Sequence, residues 1–281
     1  MQKETSGNYS SVPSDFTQYI YVVRYETLKY LRSRRLIAIL IILALVIGLI
    51  LVIPPALGHD YPSDPLDFAS LFIGFVGILI ILCVTFFGAD AIVSEFQQKT
   101  GYLLFPNPLK RSVILFGKFS ASFLSSMMVL IIFYGVVIAS VGLVTHSIKM
   151  EIGLSFLFAV MFLLSALAVT YFLSSIMKGT TGTTVLTFFL FFLILPIIEQ
   201  VFTFAGVKPW ASITFASGII SYILIVPYPI DTMEKIDLGN GQSMELNIFY
   251  PDIALSILVM FFYLVISFTL AYFIFLRKEM K

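Results

Sequence analysis

The chain alternates between long runs without charge and short polar interruptions. The first run, Leu36 to Ile53, is about 18 residues, or roughly 27 Å of helix at 1.5 Å per residue. That is enough to cross a bilayer core. Runs of the same kind at 68–89, 119–144, 152–177 and 253–276, and a shorter one at 183–198, predict six transmembrane helices. Pro54 and Pro55 end the first span, and Pro196 is expected to break the fifth near its outer end. A seventh apolar stretch, Ser212 to Val226, lies between Pro209 and Pro227. At about 15 residues it suits a re-entrant or interfacial element better than a span. Ahead of the first span, Phe16, Tyr19, Ile20, Val23, Thr27, Leu28 and Leu31 fall on one helical face. Asp15 is placed to cap that helix, with Gln18 three residues on. Arg24, Lys29, Arg32, Arg34 and Arg35 give it a basic side, which predicts an interfacial amphipathic helix on the cytoplasmic leaflet. An ordinary juxtamembrane anchor fits the same pattern.

Composition agrees with this reading. Of 281 residues, 59% are hydrophobic and 12% charged, against about 25% charged in soluble proteins. The fold class is therefore all-α integral membrane. Segment 1–35 is a cytoplasmic N-terminus, 36–276 the six-span domain, 199–252 an outer, partly embedded hairpin region, and 277–281 a cytoplasmic tail. Six spans leave only Lys149, Lys208 and Lys235 of the 17 basic residues outside, as the positive-inside rule asks. A seventh span would put the basic C-terminus outside and the acidic loop after Pro227 inside. Both termini are thus expected in the cytoplasm, with the protein in the plasma membrane. The polar lead before the first span is too long for a cleaved signal peptide, so that span is expected to be retained. The single cysteine, Cys83, rules out an intrachain disulfide. A net charge of +1 without a basic block gives no handle for nucleic acid.

Several kinds of chemistry are missing. His59 and His146 lie in separate loops without neighbouring Cys or Glu clusters, so no metal site is expected. No serine sits in a nucleophile-elbow context, and no catalytic residue is assigned. Gly117-Lys118 looks like part of a phosphate loop, but Phe119 follows it and Ser112 replaces the required glycine. The chain is expected to be no enzyme by itself and to hold no cofactor. The predicted spans carry no charge away from their ends. A central charge costs about 2.5–3.5 kcal/mol on insertion scales, and where it persists it marks an ion path. Its absence argues against a proton-coupled carrier.

The longest polar interruption on the basic side is Asp90 to Lys118. Phe96, Thr100, Leu103 and Leu104 are at helical spacing there. Asp90 and Glu95 stand at the start, where a helix N-terminus favours negative charge. Pro106 and Pro108 stop the helix, and Lys110, Arg111 and Lys118 close the stretch. This stretch resembles the permease subunits of ABC-2 type transporters. Their motif after span two runs Asp, Glu five residues on, Thr, leucines, Pro, Arg and a final Gly-Lys. Here these are Asp90, Glu95, Thr100, Leu103, Leu104, Pro108, Arg111, Gly117 and Lys118. Gly101 follows the threonine, whereas the family more often has glycine before it, where this chain has Lys99.

The resemblance implies that Glu95 to Phe105 is a cytoplasmic coupling helix that docks on a separate ATPase subunit. Asp90, Glu95, Thr100, Gly101, Leu103, Leu104, Pro108, Arg111 and Lys118 would form or support that interface. The partner would bind ATP and Mg, and two permease copies would assemble with two ATPases. Milder readings stay open: Lys110, Arg111 and Lys118 as positive-inside anchors, and Glu95 as a helix-start charge. The small residues Gly179, Gly182, Thr183 and Thr187 offer a close-packing face for a second protomer in the bilayer. Trp210, Tyr222, Tyr228 and Tyr250 suit an interfacial belt. Three functions remain: an exporter permease, an ATPase-linked anchor or mechanical signalling module, and an ATPase-independent channel or carrier.

Overall fold

The computed structural model describes residues 14–97, 110–237 and 243–278, with only the backbone of 234–237 and 243–246. Thr100, Gly101, Leu103, Leu104 and Pro108 lie outside the described residues. Among the described residues, six helical segments are long and apolar enough to cross a membrane: Arg34–Ala56, Pro65–Gln97, Arg111–Thr145, Met150–Ile176, Thr180–Phe204 and Ile253–Arg277.

The N-terminal helix α1 (Asp15–Leu31) is capped by Ser14, whose Oγ accepts from the Thr17 amide at 3.3 Å; Asp15 occupies the first turn instead. A serine hydroxyl one residue earlier reaches the free amides without entering the helix. The first span is α2 (Arg34–Ala56), with Pro54 and Pro55 inside its last turn. The second is broken into α3 (Pro65–Ile73), α4 (Val76–Gly88) and α5 (Val93–Gln97). The third and fourth are α6 (Arg111–Thr145) and α7 (Met150–Ile176).

The fifth span begins at α8 (Thr180–Phe189), passes through a π-helical turn (Leu190–Ile194) and continues as α9 (Leu195–Phe204). Pro196 therefore does not break this span. It falls in the first turn of α9, just after the π-helical turn, where the ladder is already re-registered and its missing amide costs little. Two short helices follow, α10 (Ile213–Ser217) and α11 (Ile219–Tyr222), and then an antiparallel hairpin of β1 (Thr232–Asp237) and β2 (Ser243–Ile248). The sixth span is α12 (Ile253–Arg277), capped by Asp252.

The core forms around α7, which packs along α12, α4 and α6. Gly88 lets α4 approach α7 closely: a Cβ there would lie 3.0 Å from Thr170. Of the apolar window of α7, 61% is buried within the protomer, against 11% of the α8–α9 span. The fifth span thus turns an apolar surface outward, toward lipid or another chain. The short helices are not spare loops, since Ile213, Ala216, Ile219, Ile220 and Leu224 are buried. Ser155 on α7 fixes them by donating to the Ile220 carbonyl at 2.7 Å.

Candidate functional site

Helices α4, α7 and α12 all end on the basic face of the bundle. Each C-terminus leaves carbonyls without intrahelical donors and carries partial negative charge. A basic side chain from elsewhere meets each one. Arg35 donates to the Phe86 carbonyl at 3.0 Å and to Asp90 at 2.6 Å. Arg111 donates to the carbonyls of Leu276 and Lys278 at 2.9 and 3.1 Å. Lys278 donates to those of Ser175 and Met177 at 2.8 and 2.9 Å. Its ammonium also lies 4.8 Å from the Phe96 ring centroid, a cation–π contact.

Segment α5 is tied into this layer from both ends. Before it, the turn at residues 89–92 frees the amides of Ile92 and Val93, and both donate to Ser174 Oγ at 3.2 Å. At its end, Gln97 Oε1 accepts from the Thr180 amide at 2.8 Å, at the start of α8.

Lys118 is the centre of the layer. The sequence reading placed it before span three. Helix α6 begins at Arg111, however, so Lys118 stands about 10 Å along the helix, with its side chain only 3% exposed. Helix α6 has 35 residues, more than a bilayer core requires, so Lys118 still lies near its basic end, with its side chain turned into the protein. Its Nζ is 2.6 Å from Glu26 of α1 and 2.7 Å from Glu95 of α5. Glu26 also holds Lys29 at 3.1 Å, so two ammonium groups balance two carboxylates. Burial raises the Glu26 pKa, but Lys118 and then Lys29 outweigh it and hold the carboxyl below its ordinary value. A buried charge is tolerable only when paired and hydrogen-bonded in this way.

Gly117 explains why this pairing can form. A Cβ at Gly117 would come within 2.6 Å of Val22 Cγ1, so only glycine lets α1 lie this close to α6. One turn further along α1, Glu26 then meets Lys118. The Gly-Lys pair thus works as a docking point for an i, i+4 pair on α1. The contact continues on both sides: Lys110 pairs with Asp15, Tyr19 donates to Ser120 at 2.8 Å, and Ser122 bonds Tyr30, Tyr171 and the Phe87 carbonyl.

The face of α1 turned to the protein centres on Gln18, Val22, Glu26 and Tyr30, with only part of the apolar stripe, such as Tyr19 and Leu31, beside it. Phe16 and Ile20 of that stripe remain 70% and 47% exposed. Sequence reasoning missed Glu26, Gln97, Ser174 and Lys278. Only Glu26 left a signal, as an acid in the middle of a basic helix.

At the opposite end, Glu199 of α9 holds the start of α10. One oxygen, Oε1, accepts from the hydroxyls of Ser212 and Thr214 and from the Phe215 amide, the last at 2.9 Å. Nearby, Lys208 is paired with both oxygens of Asp231, at 2.8 and 3.0 Å. Two adjoining cavities of about 340 and 510 Å³ open here and share Trp210, Ala211 and Tyr263.

The residues read as a protomer face divide. Thr183 and Thr187 are fully buried in their own protomer, whereas space is open beside Gly179 and Gly182. Among the described residues, no group of three or more His, Cys, Asp or Glu could hold a metal ion.

Six apolar helices, a fifth span left largely uncovered, and a charge-locked layer on one face define a multi-pass α-helical membrane protein. A search of curated proteins finds no match. The family model for ABC-2 family transporter proteins matches residues 20–280, and the chain belongs to that family.

Proposed function

We propose that this protein is the permease half of an ABC-2 exporter, driven by ATP hydrolysis in a separate ATPase subunit. The observation that carries the mechanism is Lys118, buried between Glu26 and Glu95. The connection from Gln97 to Lys110, on which the ATPase docks, joins α5 to α6. Glu95 at one end and Lys110 at the other are both tied to α1, through Lys118–Glu26 and through Asp15. A push on that connection therefore reaches α1, α5 and α6 as one rigid unit.

In this reading 95–105 is the coupling helix, and Arg111 and Asp90 hold its base to α12 and α2. The chain hydrolyses nothing itself; ATP and Mg belong to the partner. The basic face is cytoplasmic, as its excess of Lys and Arg supports, and α10–α11 form a re-entrant element on the outer side. A second permease copy packs on the apolar fifth span, through Val185, Phe189 and Phe192, with Gly179 and Gly182 at the close approach.

The test is purification of the tagged protein from native membranes into nanodiscs, with mass spectrometry of what accompanies it. A stoichiometric P-loop ATPase is expected, and Glu95→Lys should abolish its stimulation while the permease still inserts. An ATPase-free preparation would turn the reading to a channel or carrier. Normal stimulation in Glu95→Lys would end the coupling assignment.

A further inference from the structure

The two cavities adjoin, sharing Trp210, Ala211 and Tyr263, and together line a cleft between α9, the segment before α10 and α12. Its walls are apolar and aromatic: Phe202 on α9, Phe262 and Tyr263 on α12, and the half-exposed indole of Trp210 between them. Two charged side chains line it, and they differ in kind. Lys208 is neutralised by Asp231, which it meets with both carboxylate oxygens. Glu199 has no ion pair among the described residues. All its hydrogen bonds come from neutral donors and end on Oε1. The cleft therefore carries one uncompensated negative charge beside aromatic faces, and both features attract a cation. An anion would meet the opposite field.

We propose that this cleft binds a lipophilic ammonium ion, with the cationic head against Glu199 and Trp210 and the apolar tail along α12. As a cargo site it rests on the exporter reading above; as a binding site it stands without the ATPase.

Trp210 is the single tryptophan of the chain, so its fluorescence reports the cleft directly. The permease alone, in zwitterionic nanodiscs, is titrated with dodecyltrimethylammonium, dodecyl maltoside and dodecyl sulfate below their micellar concentrations. The ammonium probe is expected to quench saturably, with the neutral and anionic probes far weaker. Glu199→Gln keeps the acceptor oxygen and removes the charge. It should raise the half-saturation concentration about tenfold, the scale of one lost ammonium–carboxylate attraction. Glu199→Asp should bind within about threefold of the original.

An unchanged half-saturation in Glu199→Gln, or equal quenching by dodecyl maltoside, overturns the proposal. If Glu199→Gln does not fold, the charge selectivity of the unaltered protein decides: equal quenching by dodecyl sulfate overturns it. Failure to recover an ATPase would sink the exporter reading and leave this binding measurable.

Discussion

Lys118 and Glu199 are both charged side chains drawn toward the bundle, one at each end, and they are accommodated differently. Lys118 is almost fully buried and is answered by opposite charge, with Glu26 and Glu95 on two other elements. Glu199 is half-buried and is answered by two hydroxyls and an amide, all from one short segment. The first arrangement locks three parts of the chain together, and losing one member strands the others. The second staples a local turn and leaves a charge unspent. Rigidity is therefore concentrated at the basic face. The opposite end is held by weaker, neutral bonds.

The comparison breaks most visibly at Lys118. Lys118→Met would leave Glu26 and Glu95 buried together without their shared cation, a loss of about 3–5 kcal/mol for a broken buried pair. Thermal unfolding in nanodiscs should show it as a large drop. Adding Glu26→Gln and Glu95→Gln should recover most of the loss, because no buried charge is then left alone. A triple variant as unstable as the single one would mean that Lys118 acts by packing and not by charge.

At the opposite end, Glu199→Ala removes one acceptor shared by three donors. The expected cost is about 1–3 kcal/mol for donors left unsatisfied. It should appear locally, as faster hydrogen exchange at residues 212–216, with the basic face unchanged. Exchange that rises throughout the bundle would make the two ends equally structural.

The smallest effect is acid sensitivity. The Glu26 pKa is lowered in the folded protein, so its contribution is complete above the ordinary glutamate range and is lost as pH falls through the depressed value. Below about pH 4.5, the contact of α1 with α6 should loosen, read by a spin label at Tyr25. Glu26→Gln should abolish that pH response. A response that persists in the variant would assign the titration elsewhere.

Much of the fold is legible in the sequence because a bilayer imposes simple rules. A helix must be long and apolar enough to cross, and that fixes six spans from hydropathy alone. The polar interruption at 90–118 is visible in sequence as a cluster of charges, but its described ends fall within helices, α5 up to Gln97 and α6 from Arg111. The outer region is less legible. The β hairpin at 232–248 is short and not strongly alternating, and the passage of the helix beyond Pro196 depends on a π-helical turn that no residue type signals.

What the sequence by itself determined is a six-span helical membrane protein, the family motif and the position of the polar stretch, all set by local composition and spacing. Only the tertiary structure decided where the charges of that motif go. Lys118 looks like an anchor in sequence, because its partner Glu26 is 92 residues away and no periodicity links them. Gly117 looks incidental until Val22 is seen against it. Thr183 and Thr187 look like an outer face until α4 and α7 cover them. Each of these depends on how helices from distant parts of the chain approach one another, which hydropathy does not encode.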